Sequence, residues 1–150
     1  MGKRRQAREF AVQFLFQGDF NPDCHKSDMD EALRVFWEDK EATDDVRQFA
    51  TELIQGAVAH QAGADELIRK YADNWDINRI AAVDRNVMRL AIYEMLHRSD
   101  VPPVVSINEA VDIAKKFSTH ESGKFVNGIL DRIRKDIPRD ARTAQGSAST

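Results

Sequence analysis

Four basic residues, Lys3, Arg4, Arg5 and Arg8, stand together in GKRRQAREFAVQFLFQ, residues 2–17. Grouped on two turns of a helix, such side chains suit a polyanion, because each guanidinium or ammonium can neutralise one phosphate. Their position does not favour the helix itself. Positive charge near a helix N-terminus opposes the dipole, at a cost of roughly a few tenths of a kcal/mol each. Their stripe lies mostly off the apolar one, free to face solvent or a ligand, and a plain solvated face stays open as the alternative. Gln13 and Phe16 follow within two turns. The amide of Gln13 can both donate and accept, while the ring of Phe16 offers either a flat exposed surface or core.

A catalytic constellation is not legible. His25, His60, His97 and His120 are scattered, and none pairs with cysteine or carboxylate at metal-ligand spacing. Glycine-rich phosphate loops and nucleophile motifs are missing. The carboxylate pairs Asp30/Glu31 and Asp44/Asp45 fit solvated faces and helix starts. The residues therefore point to a binding protein with no catalytic site, no metal and no cofactor.

Charge is distributed unevenly along the 150 residues, whose formal net charge is −3. Residues 1–18 hold four basic groups and one acidic, whereas residues 19–76 hold six basic and fifteen acidic. A locally basic end on an acidic chain fits local polyanion binding. A single cysteine, Cys24, offers no internal disulfide, and no uncharged apolar run approaches a membrane span. A cytoplasmic protein is expected.

The elements that position these residues are helices. Ala7, Ala11, Phe14, Leu15 and Gly18 share the buried stripe of a first helix over about residues 4–17. GDFNPDCHKSD reads as a loop, then Leu33, Phe36 and Trp37 turn inward from a short helix. Thr43 is placed to cap a helix burying Val46, Phe49, Ala50, Leu53, Ile54 and Ala57, and Gly63 breaks the pattern before the next. Asp84 reads as the N-cap of a helix apolar nearly all round, from Val87 to Leu96, which belongs in the middle of a bundle. Ser106-Ile107-Asn108-Glu109 reads as a capping box, with Ala110, Val111, Ala114 and Phe117 buried behind it. A last helix buries Phe125, Val126, Ile129, Leu130 and Ile133, with Gly128 allowing close packing. These periods predict an all-α fold, a compact bundle of about seven helices over residues 1–137, and a disordered polar tail over 138–150.

Four stretches carry more than helix grammar: R-x-A-R-x-x-A-x-Q from Arg5, D-R-x-x-x-R-L-A-x-Y-E from Asp84, I-N-E-A-V-x-I-A-K-K-F from Ile107, and S-x-K-F-V-N-G-x-L-D from Ser122. In this order they resemble the NusB family of bacterial transcription antitermination factors, over nearly all of residues 3–137. The resemblance implies two packed helical subdomains and no enzyme activity. It also implies binding of single-stranded boxA RNA together with NusE, a small-subunit ribosomal protein, within the RNA polymerase antitermination complex on ribosomal RNA operons. Carried onto this chain, the RNA contacts fall on Lys3, Arg4, Arg5, Arg8, Gln13 and Phe16, and on Glu121, Ser122, Lys124 and Phe125. Phenylalanine at 16 stands where the family usually has tyrosine, which keeps stacking and removes a phenol hydrogen bond. Partner contacts fall on Asp84, Arg85, Arg89, Tyr93 and Glu94, although Arg89 and Glu94 can equally pair within the protein. Monomer and homodimer both stay open, and a helical protein-interaction module without specific RNA binding is the alternative function.

Overall fold

A computed structural model describes residues 2–21, 28–73 and 76–138. Among these residues lie seven helices and no strand: α1 (Lys3–Phe20), α2 (Met29–Glu38), α3 (Asp44–Ala59), α4 (Gln61–Tyr71), α5 (Ala82–His97), α6 (Pro103–Phe117) and α7 (His120–Lys135). A 3-10 turn, Ile77–Arg79, precedes α5. The all-α bundle expected from the sequence is thus the fold. Most of the predicted loop at 18–28, the end of the fourth helical segment and nearly all of the polar tail fall outside the described residues.

Local chemistry explains why α1 is held mainly by packing. It starts at Gly2 with no side-chain cap and no acidic residue in its first turn. Ala7, Ala11, Val12, Phe14, Leu15 and Gly18 are buried on one side of it. Phe10 and Phe14 meet Phe36 and Trp37 edge-on, with centroids 5.2–6.4 Å apart, and so clamp α2 against α1. A smaller cluster of Ala7, Val46 and Ala50 joins α1 to α3.

Helix α5 is the centre, as its apolar circumference predicts. Val87, Met88, Leu90, Ala91, Ile92 and Met95 are all buried along it. Around it stand α1, α3, α4, α7 and α6, each packed on its neighbours in that order. Only the α6–α1 seam lacks close backbone packing and is bridged by long charged side chains instead.

Several boundaries differ from the sequence reading. Helix α5 begins at Ala82, which places Asp84 inside its first turn rather than at the cap. Helix α6 begins three residues before Ser106, because Pro103 supplies a preset φ at the start. The Ser106 hydroxyl is therefore free to donate to Glu94 at 3.2 Å instead of capping. Gly63 lies within α4, and the break falls at His60. Thr43 occupies the expected N-cap position, yet its hydroxyl bonds to Asp45 and makes no capping bond. Phe117 and Leu96, expected in the core, are 41% and 44% exposed, since each stands at a helix end beyond the packed layer. A Cβ on Gly128 would meet nothing within 4 Å, so close packing is not its role.

Candidate nucleic-acid interface

The basic cluster occupies the end of the bundle where α1 begins and α5 ends. Lys3 pairs with Asp45 at 3.0 Å, and Arg4 lies 3.5 Å from Asp100 with its guanidinium 4.5 Å above the Phe49 ring. These two side chains are 70% and 54% exposed, so a phosphate can reach both. The Asp45 carboxyl is held down to about 2 by the Thr43 hydroxyl and then by Lys3. Arg5 is less open. It donates through Nε to Glu109 at 2.8 Å and through Nη2 to Asp112 at 2.8 Å, and the Glu109 bond raises its already high pKa.

Arg8 is a correction. Expected off the buried stripe, it is only 2% exposed. Its guanidinium grips Glu94 at 2.7 and 3.0 Å and reaches Glu109 at 3.3 Å. A desolvated cation gripped in this way stabilises the α1–α5 contact and is not open to a phosphate.

Along α1 the geometry becomes an edge. Arg5 meets Glu109 and Asp112, and Glu9 meets Lys116 at 3.0 Å, so α1 and α6 run side by side in the same direction. One turn beyond Glu9 come exposed Gln13 and then half-buried Phe16, while Lys116 stands one residue before the end of α6. Phe16 packs on Phe20 with centroids 5.0 Å apart. At the start of α7, Thr119 caps the helix by accepting from the Ser122 amide at 3.1 Å. Ser122 itself is buried, its hydroxyl donating to Ser118 at 2.9 Å. Lys124 and Glu121 remain exposed, 3.6 Å apart. Phe125, 38% exposed, faces outward beside Lys124 and Arg132 in an open groove of about 370 Å³. That groove is shared with Tyr71, Ala72 and Asp73 at the end of α4. From Arg4 to Phe16 the α1 edge is about 18 Å long.

The residues expected at a partner surface turn mostly inward, because α5 is enclosed. Arg89, 5% exposed, is held by Asp65 at 2.7 Å and Asp19 at 3.0 Å. Arg85 binds Asp19 at 2.8 Å and the carbonyls of Ile77 and Ile80. Burial alone would raise the Asp19 carboxyl, but hydrogen bonds from Arg85 and Asn86 and the charge of Arg89 lower it. Glu94 is the partner of Arg8, at 1% exposure. Asp84 is buried near Ser122, and desolvation pushes its carboxyl up. Tyr93 is the member left half-exposed with no charge partner; it lies over Gly56 and stacks toward His60 and His97.

Sequence reasoning missed the acids that face the basic cluster: Asp45, Asp100, Glu109 and Asp112. They lie 42 to 107 residues away, and Glu109 read as part of a capping box. Among the described residues no group of three or more His, Cys, Asp or Glu could hold a metal ion, and no helix is long and apolar enough to cross a membrane.

The arrangement defines a class: an all-helical binding protein that presents a charged and aromatic edge along its first helix. Comparison with known proteins narrows it. The profile of the NusB family matches residues 5–135. The chain is 46% identical over 140 residues to the transcription antitermination protein NusB of Thermodesulfovibrio yellowstonii, covering 89% of this chain and 93% of that one. It is 44% identical to the protein of the same name from Bacillus velezensis, covering 90% and 98%. A T. maritima NusB crystal structure superposes with a TM-score of 0.79 at 40% identity, covering 92% of each chain. A chain from a crystal structure of antitermination factors NusB and NusE in complex with dsRNA superposes with a TM-score of 0.80 at 30% identity, covering 91% and 99%. This chain belongs to the NusB family.

Proposed function

We propose that this protein is a non-enzymatic, cytoplasmic transcription antitermination factor that binds boxA-type single-stranded RNA together with NusE, in support of ribosomal RNA synthesis. The observation that carries the reading is a family match over nearly the whole chain. The exposed cations and rings along α1 and at the start of α7 give that match a place to act. Lys3, Arg4 and Arg5 neutralise phosphates, Gln13 reads a base edge, and Phe16 and Phe125 stack on bases. Lys124 adds charge where RNA reaches α7, and Glu121 limits affinity by repulsion. With Arg8 inside the protein, three phosphate contacts remain at the basic end, for a slope of about −2. Tyr93 is the member of the α5 set that reaches the surface for a protein partner.

The test is fluorescence anisotropy with a boxA-type single strand, a scrambled strand and a duplex, each with and without NusE and at two salt concentrations. Preference for the boxA strand, strengthened by NusE and lost in the Arg4→Ala/Arg5→Ala double variant, is the expected outcome. Equal binding of all three RNAs that ignores the arginines would leave a helical interaction module and sink the RNA reading. The duplex arm matters because the related NusB–NusE complex is one with dsRNA.

A further inference from the structure

At the α1–α6 seam neighbouring helices of the ring lack close backbone packing, and long charged side chains bridge its outer face. Its ion pairs alternate in direction. Arg5 of α1 reaches across to Glu109 and Asp112, and one turn on, Lys116 of α6 reaches back to Glu9. Asp112 and Lys116 are 52% and 47% exposed, so neither pair contributes much to holding the fold. Apolar side chains of Val12, Ala110 and Ile113 lie beneath.

A strand running from Arg4 along α1 toward Gln13 passes this seam, which flanks α1 from Arg5 to Glu9. As it stands, Asp112 would repel the strand, and Lys116 is occupied by Glu9. We propose that the seam is a phosphate track in which RNA phosphates replace Asp112 on Arg5 and Glu9 on Lys116. The resident carboxylates set the affinity, and Lys116 becomes a phosphate contact in its own right. The inference rests on the RNA-binding reading. Its physical basis is that Glu109 holds the Arg5 guanidinium through both Nε and Nη2, whereas Asp112 accepts a single bond from Nη2 and can be exchanged. A half-exposed aspartate swings into water at little cost, and a phosphate oxygen accepts the same Arg5 donor in its place.

Asp112→Asn removes the competitor and keeps the shape. In the anisotropy titration with a boxA-type single strand, it should tighten binding about two- to fivefold. Asp30→Asn, the same change of net charge on α2 away from the seam, should tighten it less. Lys116→Gln should weaken binding by a similar factor and reduce the salt slope by about 0.7. Thermal unfolding of each variant shows that the fold is kept. Binding by Asp112→Asn that is no tighter than by Asp30→Asn, or weaker than wild type, would overturn the proposal, as would an unchanged slope with Lys116→Gln. Failure of the RNA reading itself shows separately, as binding indifferent to Arg4→Ala/Arg5→Ala.

Discussion

Replacing Arg8 separates a structural arginine from its RNA-facing neighbours. In the folded protein its side chain is 3% exposed and Glu94 is 1% exposed. Three of its bonds go to Glu94 and one to Glu109, while Ser106 donates to the same Glu94 carboxylate. Arg8→Met fills much of the volume but leaves Glu94 as a buried charge with one hydroxyl donor. Removing one partner of a buried pair costs about 3–5 kcal/mol. With a urea dependence of about 2 kcal/mol/M, the midpoint should fall by about 2 M at constant slope. The Arg8→Met/Glu94→Gln double variant removes the stranded charge and should recover about half of the loss, which a double-mutant cycle reports as coupling. At temperatures where Arg8→Met stays folded, the salt slope of RNA binding should match wild type, whereas Arg4→Ala should lower it by about 0.7. A stability loss below about 1 kcal/mol together with a reduced salt slope would show Arg8 on a phosphate and refute the buried-pair argument.

Two further changes probe α5. A Cβ at Gly56 would collide with the ring of Tyr93, so Gly56→Ala should destabilise by about 1–3 kcal/mol. Urea unfolding should also show most of that loss recovered by adding Tyr93→Ala. Asp84 has a carboxyl pushed up by burial and an Oδ1 with no hydrogen-bond donor. A carboxyl raised in the folded state favours folding below its unfolded pKa and loses that contribution as pH rises through the folded value. Asp84→Asn should therefore have a higher melting temperature than wild type at pH 7, with the difference shrinking toward pH 4; a constant difference would point away from ionisation.

Periodicity made the bundle legible, because a buried stripe repeats within one helix and needs no knowledge of its neighbours. Helix α5 could be placed at the centre for the same reason, its apolar residues covering most of its circumference. Arg8 was misplaced because its burial depends on Glu94, 86 residues away, and its own stripe says nothing of that. Asp84 and Ser106 both have side chains that suit caps. Which turn a cap serves is decided by where the preceding chain enters the helix, as Pro103 shows. The open part of the edge, Lys3, Arg4, Gln13 and Lys124, was legible from residue type alone. The carboxylates that neutralise its cations were not, because pairing across a seam leaves no local pattern.

The placement of α5 at the hub bears on how the chain is made. Ribosomes deliver α1, α2 and α3 first, and these carry Ala11, Leu15, Leu53 and Ile54, all fully or almost fully buried in the finished protein. Much of their cover is α5, which ends 38 residues after α3 does. At ordinary elongation rates that is roughly 2–8 s of synthesis in which the N-terminal helices have a sticky face and no hub to bury it. Pauses between residues 59 and 97 should thus raise aggregation or chaperone demand more than pauses after residue 97. Messenger choice, and not only amino-acid choice, is then under physical constraint in this stretch.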